Sequence, residues 1–301
     1  MIFSELLQQF LSYLTSERNC SLNTQEAYRR DLMHFASFME RKNKDALQAD
    51  PKDIRKWLME LGKSGLKRTS IARKLSSLRS FYKFLIRSGT LDSNPAEPIN
   101  FPLKSRPLPK SLTVQDMAKL LDVEPRNDFI GIRDQAIKEL LYSTGIRVSE
   151  LTGLNMEDVV FSPEMIKVTG KGKKQRIVPF GQKAKEALQR YMQEREAILN
   201  RLKKTEEKAL FINSRGGRLS QRSVQRMISR SGWEIAINHN LTPHVFRHSM
   251  ATHLLESGAD LRSIQKLLGH ASVATTQVYT NLDVAKLQKI FSQCHPHSKR
   301  K

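Results

Sequence analysis

The stretch that organises the reading of this chain opens with Thr242-Pro243-His244-Val245-Phe246-Arg247-His248 and closes with Thr275-Thr276-Gln277-Val278-Tyr279-Thr280. Thr242 has the character of a helix N-cap, and Pro243 suits the first helical position, where its missing N–H costs nothing. The spacing i, i+3, i+4 then puts His244, Arg247 and His248 on one face, leaving Val245, Met250 and Leu254 to pack elsewhere. That helix ends between Leu255 and Gly258; Asp260 caps the next, and Gly269 stops it directly before His270. Capping residues thus bring two imidazoles and a guanidinium to helix ends, where side chains are held rigid and pointed.

Upstream, two further cations sit beside turn glycines: Arg147 in Gly145-Ile146-Arg147-Val148-Ser149-Glu150 and Lys171 in Gly170-Lys171-Gly172. Ser143-Thr144-Gly145 breaks a helix that includes Ala136 to Leu141, so Arg147 opens the next one. Met165 to Thr169 and Gln175 to Val178 read as two strands of a hairpin with Lys171 at its tip. A long basic helix over Lys183 to Leu202 and a strand at Leu210-Phe211-Ile212 complete an α+β pattern dominated by helix. The rival chemistry for the histidines is a metal site, since His244 and His248 stand at i, i+4 and His253 follows. It lacks a His-Glu-x-x-His motif and a carboxylate cluster, and Arg247 lies between the would-be ligands, so no metal is expected.

The first third is helical throughout. Leu7, Phe10, Leu11 and Leu14, then Tyr28, Leu32, Phe35 and Phe38, then Leu58 and Leu61, then Ile71, Leu75, Leu78, Tyr82 and Leu85 recur at helical spacing. Four helices fit, with starts at Ser21 or Asn23, at Asp50-Pro51 with Asp53 in the first turn, and at Thr69 or Ser70, and with Gly89 as a closing glycine. Arg29, Arg30, Arg73, Lys74 and Arg79 fall on outward positions and give a basic face, candidate contacts for an anionic partner; for any one of them, an ordinary solvated face is the competing account. The proline-rich stretch around Lys104 and Arg106 lacks periodicity, so residues 96–110 read as an extended linker between a helical domain at 1–95 and a second domain at 111–301.

Composition agrees with two domains and a polyanionic partner. The chain has 301 residues and a formal net charge of +21, from 51 Lys and Arg against 30 Asp and Glu. Such a balance attracts nucleic acid, although charge alone leaves an indifferent basic surface equally open. Cys20 and Cys294 lie far apart with no metal-ligand spacing or disulfide framework, as expected of a reduced cytoplasmic protein. The first apolar run carries Glu5, Gln8 and Gln9, so neither a signal peptide nor a membrane span is expected there.

Taken together, Gly145-Ile146-Arg147-Val148-Ser149-Glu150-Leu151, Gly170-Lys171-Gly172-Lys173-Lys174-Gln175-Arg176, His244-Val245-Phe246-Arg247-His248, Leu267-Leu268-Gly269-His270-Ala271-Ser272 and Thr276-Gln277-Val278-Tyr279 resemble the tyrosine recombinases, and among them the bacterial Xer proteins, over essentially the whole chain. Two departures fall off the catalytic positions: Asn281, where Xer proteins often have His, and the pair Ser249-Met250. The resemblance implies a mainly α catalytic domain with a small β-sheet, a separate four-helix SAM-like DNA-binding domain and a C-shaped clamp on DNA. It implies a catalytic set of Arg147, Lys171, His244, Arg247, His270 and the nucleophile Tyr279. Glu150, one helical turn after Arg147, is placed to orient that arginine, with ordinary helix-surface pairing as the competing account. No cofactor is implied.

The chemistry of a phosphodiester assigns the roles. Two guanidinium forks, Arg147 and Arg247, suit the non-bridging oxygens on which charge builds. His270 adds a hydrogen bond; His244 donates to the same oxygens or accepts the tyrosine proton. A phenol titrates near 10, far below a deoxyribose hydroxyl, so the leaving 5′ oxygen needs the proton more than the nucleophile needs a base. The family's general acid is Lys171, with Lys173 and Lys174 as alternatives and plain phosphate contact as the competing account. The expected activity is site-specific strand exchange through a 3′-phosphotyrosyl intermediate, resembling type IB topoisomerase chemistry, and the implied purpose is resolution of chromosome or plasmid dimers at cell division. Implied partners are a duplex recombination site, a homo- or heterotetramer with a related recombinase and a septal DNA translocase. A phage- or transposon-type integrase, or a catalytically silent DNA-binding module, are the alternatives. Val284, Leu287 and Ile290-Phe291 form an apolar stripe that packs on its own domain or, as the resemblance implies, on a neighbouring subunit.

Overall fold

Four amphipathic helices account for the first third: α1 (Ile2–Ser16), α2 (Leu22–Glu40), α3 (Pro51–Lys63) and α4 (Arg68–Arg87), with a short 3-10 turn at Ala46–Gln48. They come from a computed structural model that describes residues 2–18, 20–101, 111–170, 172, 174–234 and 241–269. Ser21 caps α2 by accepting from the Thr24 N–H. Asp50 and Asp53 close a reciprocal capping box ahead of α3, with Pro51 at the first helical position. Helix α4 begins at Arg68, after Lys67 and without a side-chain cap, slightly earlier than the Thr69 or Ser70 expected. Phe10, Leu32, Phe35, Trp57, Leu78, Phe81 and Leu85 are buried in the core between these helices.

The basic residues on these helices divide into two groups. Asp31 is 2% exposed, and a carboxylate so buried must be paired. Arg73 pairs with both its oxygens, Lys74 donates at 3.2 Å and Ser77 at 2.8 Å. Arg79, expected to face outward, instead donates to the carbonyls of Ala96 and Ile99. Arg29 and Arg30 remain exposed. The Arg79 bonds also correct the expected linker: Ala96 and Ile99 are buried in the helical core and Phe101 packs against it, so 96–101 is bound chain, not free spacer. The chain divides into compact units at Met1–Arg106 and Pro107–Lys301.

The second unit is built around α6 (Phe129–Thr144), which follows α5 (Val114–Leu121). Every residue from Ala136 to Thr144 is buried, Lys138 and Glu139 included, so this helix is enclosed on all sides. It is enclosed by α8 (Gln182–Leu202) and α10 (Pro243–Glu256), with α7 (Val148–Gly153), α9 (Gln221–Glu234) and α11 (Leu261–Leu268) completing the helical layer. Strands β1 (Val159–Phe161), β2 (Glu164–Thr169) and β3 (Gln175–Pro179) form an antiparallel sheet in that order. Thr169 pairs with Gln175, and the Gly170 N–H donates to the Lys174 carbonyl at 2.8 Å, which closes the hairpin. Strand β1 was not foreseen.

The strand expected at Leu210 to Ile212 is absent from this sheet; only single bridges flank it, Asn155 to Ala209 and Ile212 to Arg218. Side chains occupy much of its backbone instead. Arg195 donates to the Ala209 carbonyl, and the Tyr191 hydroxyl donates to the Leu210 carbonyl while accepting from the Ile212 N–H. A buried backbone must be satisfied, and here side chains share the task with single backbone bonds, Leu210 N–H to the Leu154 carbonyl and Leu219 N–H to the Phe211 carbonyl, so no continuous ladder forms. Among the described residues no helix is long and apolar enough to cross a membrane.

Candidate active site

Helix α6 ends at Gly145, whose φ of 59° is the left-handed conformation that a closing glycine takes, and whose N–H donates to the Leu141 carbonyl. A side chain there would also meet Leu268 at 2.9 Å and Met250 at 3.2 Å, so the turn is tight against both α10 and α11. Two residues later Arg147 caps α7. Its own N–H and its guanidinium Nη1 both donate to Glu150, at 2.7 and 2.9 Å. One glutamate therefore fixes both the backbone and the side chain of Arg147.

Glu150 is 4% exposed and receives a second arginine, Arg176 of β3, through two parallel bonds of 2.8 and 2.9 Å. An ionised carboxylate offers about four acceptor sites, and the four N–H donors from Arg147 and Arg176 fill them. Burial alone would raise this carboxyl; the bonds from Arg176 and Arg147 outweigh it and hold Glu150 below the ordinary glutamate range. The sign follows: its stabilising contribution is whole above the unfolded pKa and is lost only as pH falls through the lower folded value.

Arg247 projects from the first turns of α10 and donates from Nη1 to the Gly145 carbonyl at 2.6 Å and from Nη2 to the Leu268 carbonyl at 2.5 Å. Its pKa is pushed down to about 10, by burial first and then by the neighbouring guanidiniums of Arg147 and Arg176, with Glu150 opposing. Arg247 stays charged at neutral pH, but in surroundings that disfavour a cation and therefore favour an added anion. The C-terminus of α11 ties the cluster together. Its carbonyls at Leu267, Leu268 and Gly269 accept, respectively, from Arg176 at 3.0 Å, from Arg247, and from Arg147 at 3.4 Å. Three guanidiniums complement the negative end of one helix.

The structure thus brings together Arg147, Glu150 and Arg247, and it adds Arg176, which was not singled out from the sequence although it closes the quoted hairpin motif. His244 lies exposed on the first turn of the same helix as Arg247, and His248 is exposed as well. His253 turns inward: its ring nitrogens meet the Tyr142 hydroxyl at 2.9 Å and the Leu112 carbonyl at 2.8 Å, so it does not join His244 and His248 around an ion. Tyr142 and Tyr191 are buried, and burial raises both phenols, Tyr191 to about 12. Lys174 is exposed, whereas Lys171, Lys173, His270, Tyr279 and the apolar stripe from Val284 lie outside the described residues. A second basic feature also went unnoticed: Arg222, Arg226 and Arg230, spaced four apart on α9, are all exposed, while Val224 and Ile228 of that helix are buried.

Residues 110–286 match the phage integrase family, and residues 7–89 match the SAM-like N-terminal domain of phage integrases. The chain belongs to the tyrosine recombinases. Among relatives of this recombinase is the protein called tyrosine recombinase XerC from Thermodesulfovibrio yellowstonii, 44% identical over 97% of each chain. Another is tyrosine recombinase XerD from Chlorobaculum tepidum, 42% identical over 96% of each. The crystal structure of XerA recombinase is 31% identical, covers 99% of this chain and all of its own, and superposes with a TM-score of 0.50. The Tn1549 transposon integrase, solved with a circular intermediate DNA, shares the fold at 19% identity and a TM-score of 0.71, over 94% of the recombinase and 98% of its own chain. The recombinase is accordingly an enzyme that breaks and rejoins DNA, mainly helical with a small antiparallel sheet.

Proposed function

We propose that this recombinase cuts and rejoins specific duplex sites through a 3′-phosphotyrosyl intermediate and serves to resolve chromosome or plasmid dimers. The observation that carries this reading is the meeting of Arg147, Arg176 and Arg247 around one carboxylate, Glu150, with Arg247 held where it gains from an added anion. A scissile phosphate placed against Arg147 and Arg247 supplies that anion. Tyr279 attacks phosphorus, the bond to the 5′ oxygen breaks, and Lys171 delivers the proton that oxygen needs; the freed 5′ hydroxyl of another strand reverses the same steps. His270 and His244 serve the phosphate oxygens. The exposed arginines of α9, together with Arg29 and Arg30, suit phosphate contacts along the duplex. Two sites and four subunits, identical or shared with a related recombinase, make the assembly, and a septal DNA translocase is the partner that would license it.

The proton step has a direct test. Lys171→Ala is expected to cleave ordinary DNA poorly and to recover on a duplex whose 5′ bridging oxygen is sulfur, a leaving group that needs no proton. Equal impairment on both substrates would make Lys171 a phosphate contact and move the acid to Lys173 or Lys174.

Chelation is expected to leave cleavage of a suicide duplex unchanged, because two guanidiniums supply the charge that a metal supplies in other phosphoryl-transfer sites. Cleavage lost in chelator and restored by zinc or magnesium would contradict this account.

A further inference from the structure

Arg176 is no part of the expected catalytic set, yet it is bonded both to the carboxylate that holds Arg147 and to the end of the helix that holds Arg247. Its side chain is 8% exposed. Two of its nitrogens hold Glu150, the third donates to the Leu267 carbonyl, and it arrives on β3, the strand that returns from the hairpin tip. Two glycines leave it room. A side chain at Gly269, where φ is 64°, would lie 3.1 Å from its guanidinium; one at Gly170 would lie 3.3 Å from the Glu150 carboxylate and 3.7 Å from Arg176. The ion pair is therefore wedged between the hairpin and the turn that precedes His270.

Stability alone is a weak account of such a pair, because a buried ion pair exchanged for well-packed apolar groups often costs nothing. Directional control is a better one. A carboxylate bonded only to Arg147 would be free to turn with it; bonded also to the Arg176 fork, it has one orientation, and so has the Arg147 guanidinium that shares its Oε1. The Nε bond to Leu267 at the same time fixes the carbonyl end of α11, whose next carbonyl, that of Leu268, holds Arg247.

We infer that Arg176 is a positioning residue for strand cleavage, which aims Arg147 through Glu150 and Arg247 through the end of α11 at a single phosphate. The role rests on the proposed phosphotyrosyl reaction. Arg176→Gln and Arg176→Lys, each alone and combined with Arg147→Ala, test it in the full-length protein by thermal melting, equilibrium binding to a suicide duplex and single-turnover adduct formation at saturating DNA. Arg176→Gln is expected to bind DNA as the wild type does and to form adduct roughly 100-fold more slowly, the scale of a misplacement of about 1 Å. Arg176→Lys should regain part of that rate, since it restores the charge without the fork. Adding Arg176→Gln to Arg147→Ala should cost clearly less than it costs in the wild type, because the route through Arg147 is already lost and only the one through Arg247 remains. Adduct formation at full speed in Arg176→Gln, a loss that adds in full to that of Arg147→Ala, or a rate loss matched by lost affinity would each overturn the role. Should Arg176→Gln fail to fold, Arg176→Lys keeps the buried charge and carries the same comparison. Wild-type protein that forms no adduct would instead overturn the reading of the reaction, and this role with it.

Discussion

Tyr279→Phe is expected to bind its duplex with unchanged affinity and to form no covalent adduct at all. Phenylalanine keeps the ring and removes the one oxygen able to attack phosphorus, so the loss is of chemistry and not of fold. The other tyrosines of the catalytic unit are poor substitutes. Tyr142 is buried with its hydroxyl on His253, and Tyr191 is buried between the Leu210 carbonyl and the Ile212 N–H, its phenol raised to about 12. Denaturing electrophoresis of protein incubated with a nicked suicide substrate reads the outcome. An adduct in the phenylalanine variant would move the nucleophile to another residue.

Arg247→Ala is the second large effect. A lost donor to developing charge costs about 3 kcal/mol of transition-state stabilisation, which is on the order of 100-fold in cleavage rate. The loss should be larger here, because Arg247 also bridges the Gly145 carbonyl at the end of α6 to the Leu268 carbonyl at the end of α11. Removing it releases both. Single-turnover cleavage at saturating DNA should fall by at least the 100-fold figure, with a smaller change in affinity, since many other cations contact a duplex. A variant that cleaves within a few-fold of wild type would take Arg247 out of the phosphate site. Arg247→Lys is expected to recover little, because a point charge cannot span two carbonyls and a phosphate oxygen at once.

Among the described residues, the local part of the candidate site is legible in the sequence. Arg147 and Glu150 could be paired from their spacing across the first turn of a helix, and Gly145 and Gly269 could be read as the stops that place Arg147 and His270. These are local facts, set by turn geometry within a few residues. Arg176 shows the opposite case. It sits among basic residues in a hairpin, where a solvated face is the default account, and nothing within several positions signals a carboxylate partner. That partner lies 26 residues away.

The same division separates the rest of the reading. Helix periods, caps and the closing glycines follow from each segment's own dihedral and hydrogen-bond requirements, so α2, α3, α5 and α11 begin where Ser21, Asp50, Thr113 and Asp260 cap them. The partners of long side chains do not. Arg79 looks outward by periodicity and folds back onto 96–101; His253 looks like a third ligand and instead anchors Leu112, a residue far upstream. Leu210 to Ile212 has the composition of a strand, yet the Tyr191 hydroxyl takes the Leu210 carbonyl and the Ile212 N–H, and only single backbone bonds to Leu154 and Leu219 remain. The sequence by itself determined the helices, those of their ends that a side chain caps or a glycine closes, and the residue types available for phosphoryl chemistry, because those depend on neighbours in the chain. Only the tertiary structure decided which cations were consumed inside the fold and which stood together around Glu150, because an arginine spans several ångströms and takes whichever acceptor the packing of distant elements brings within reach.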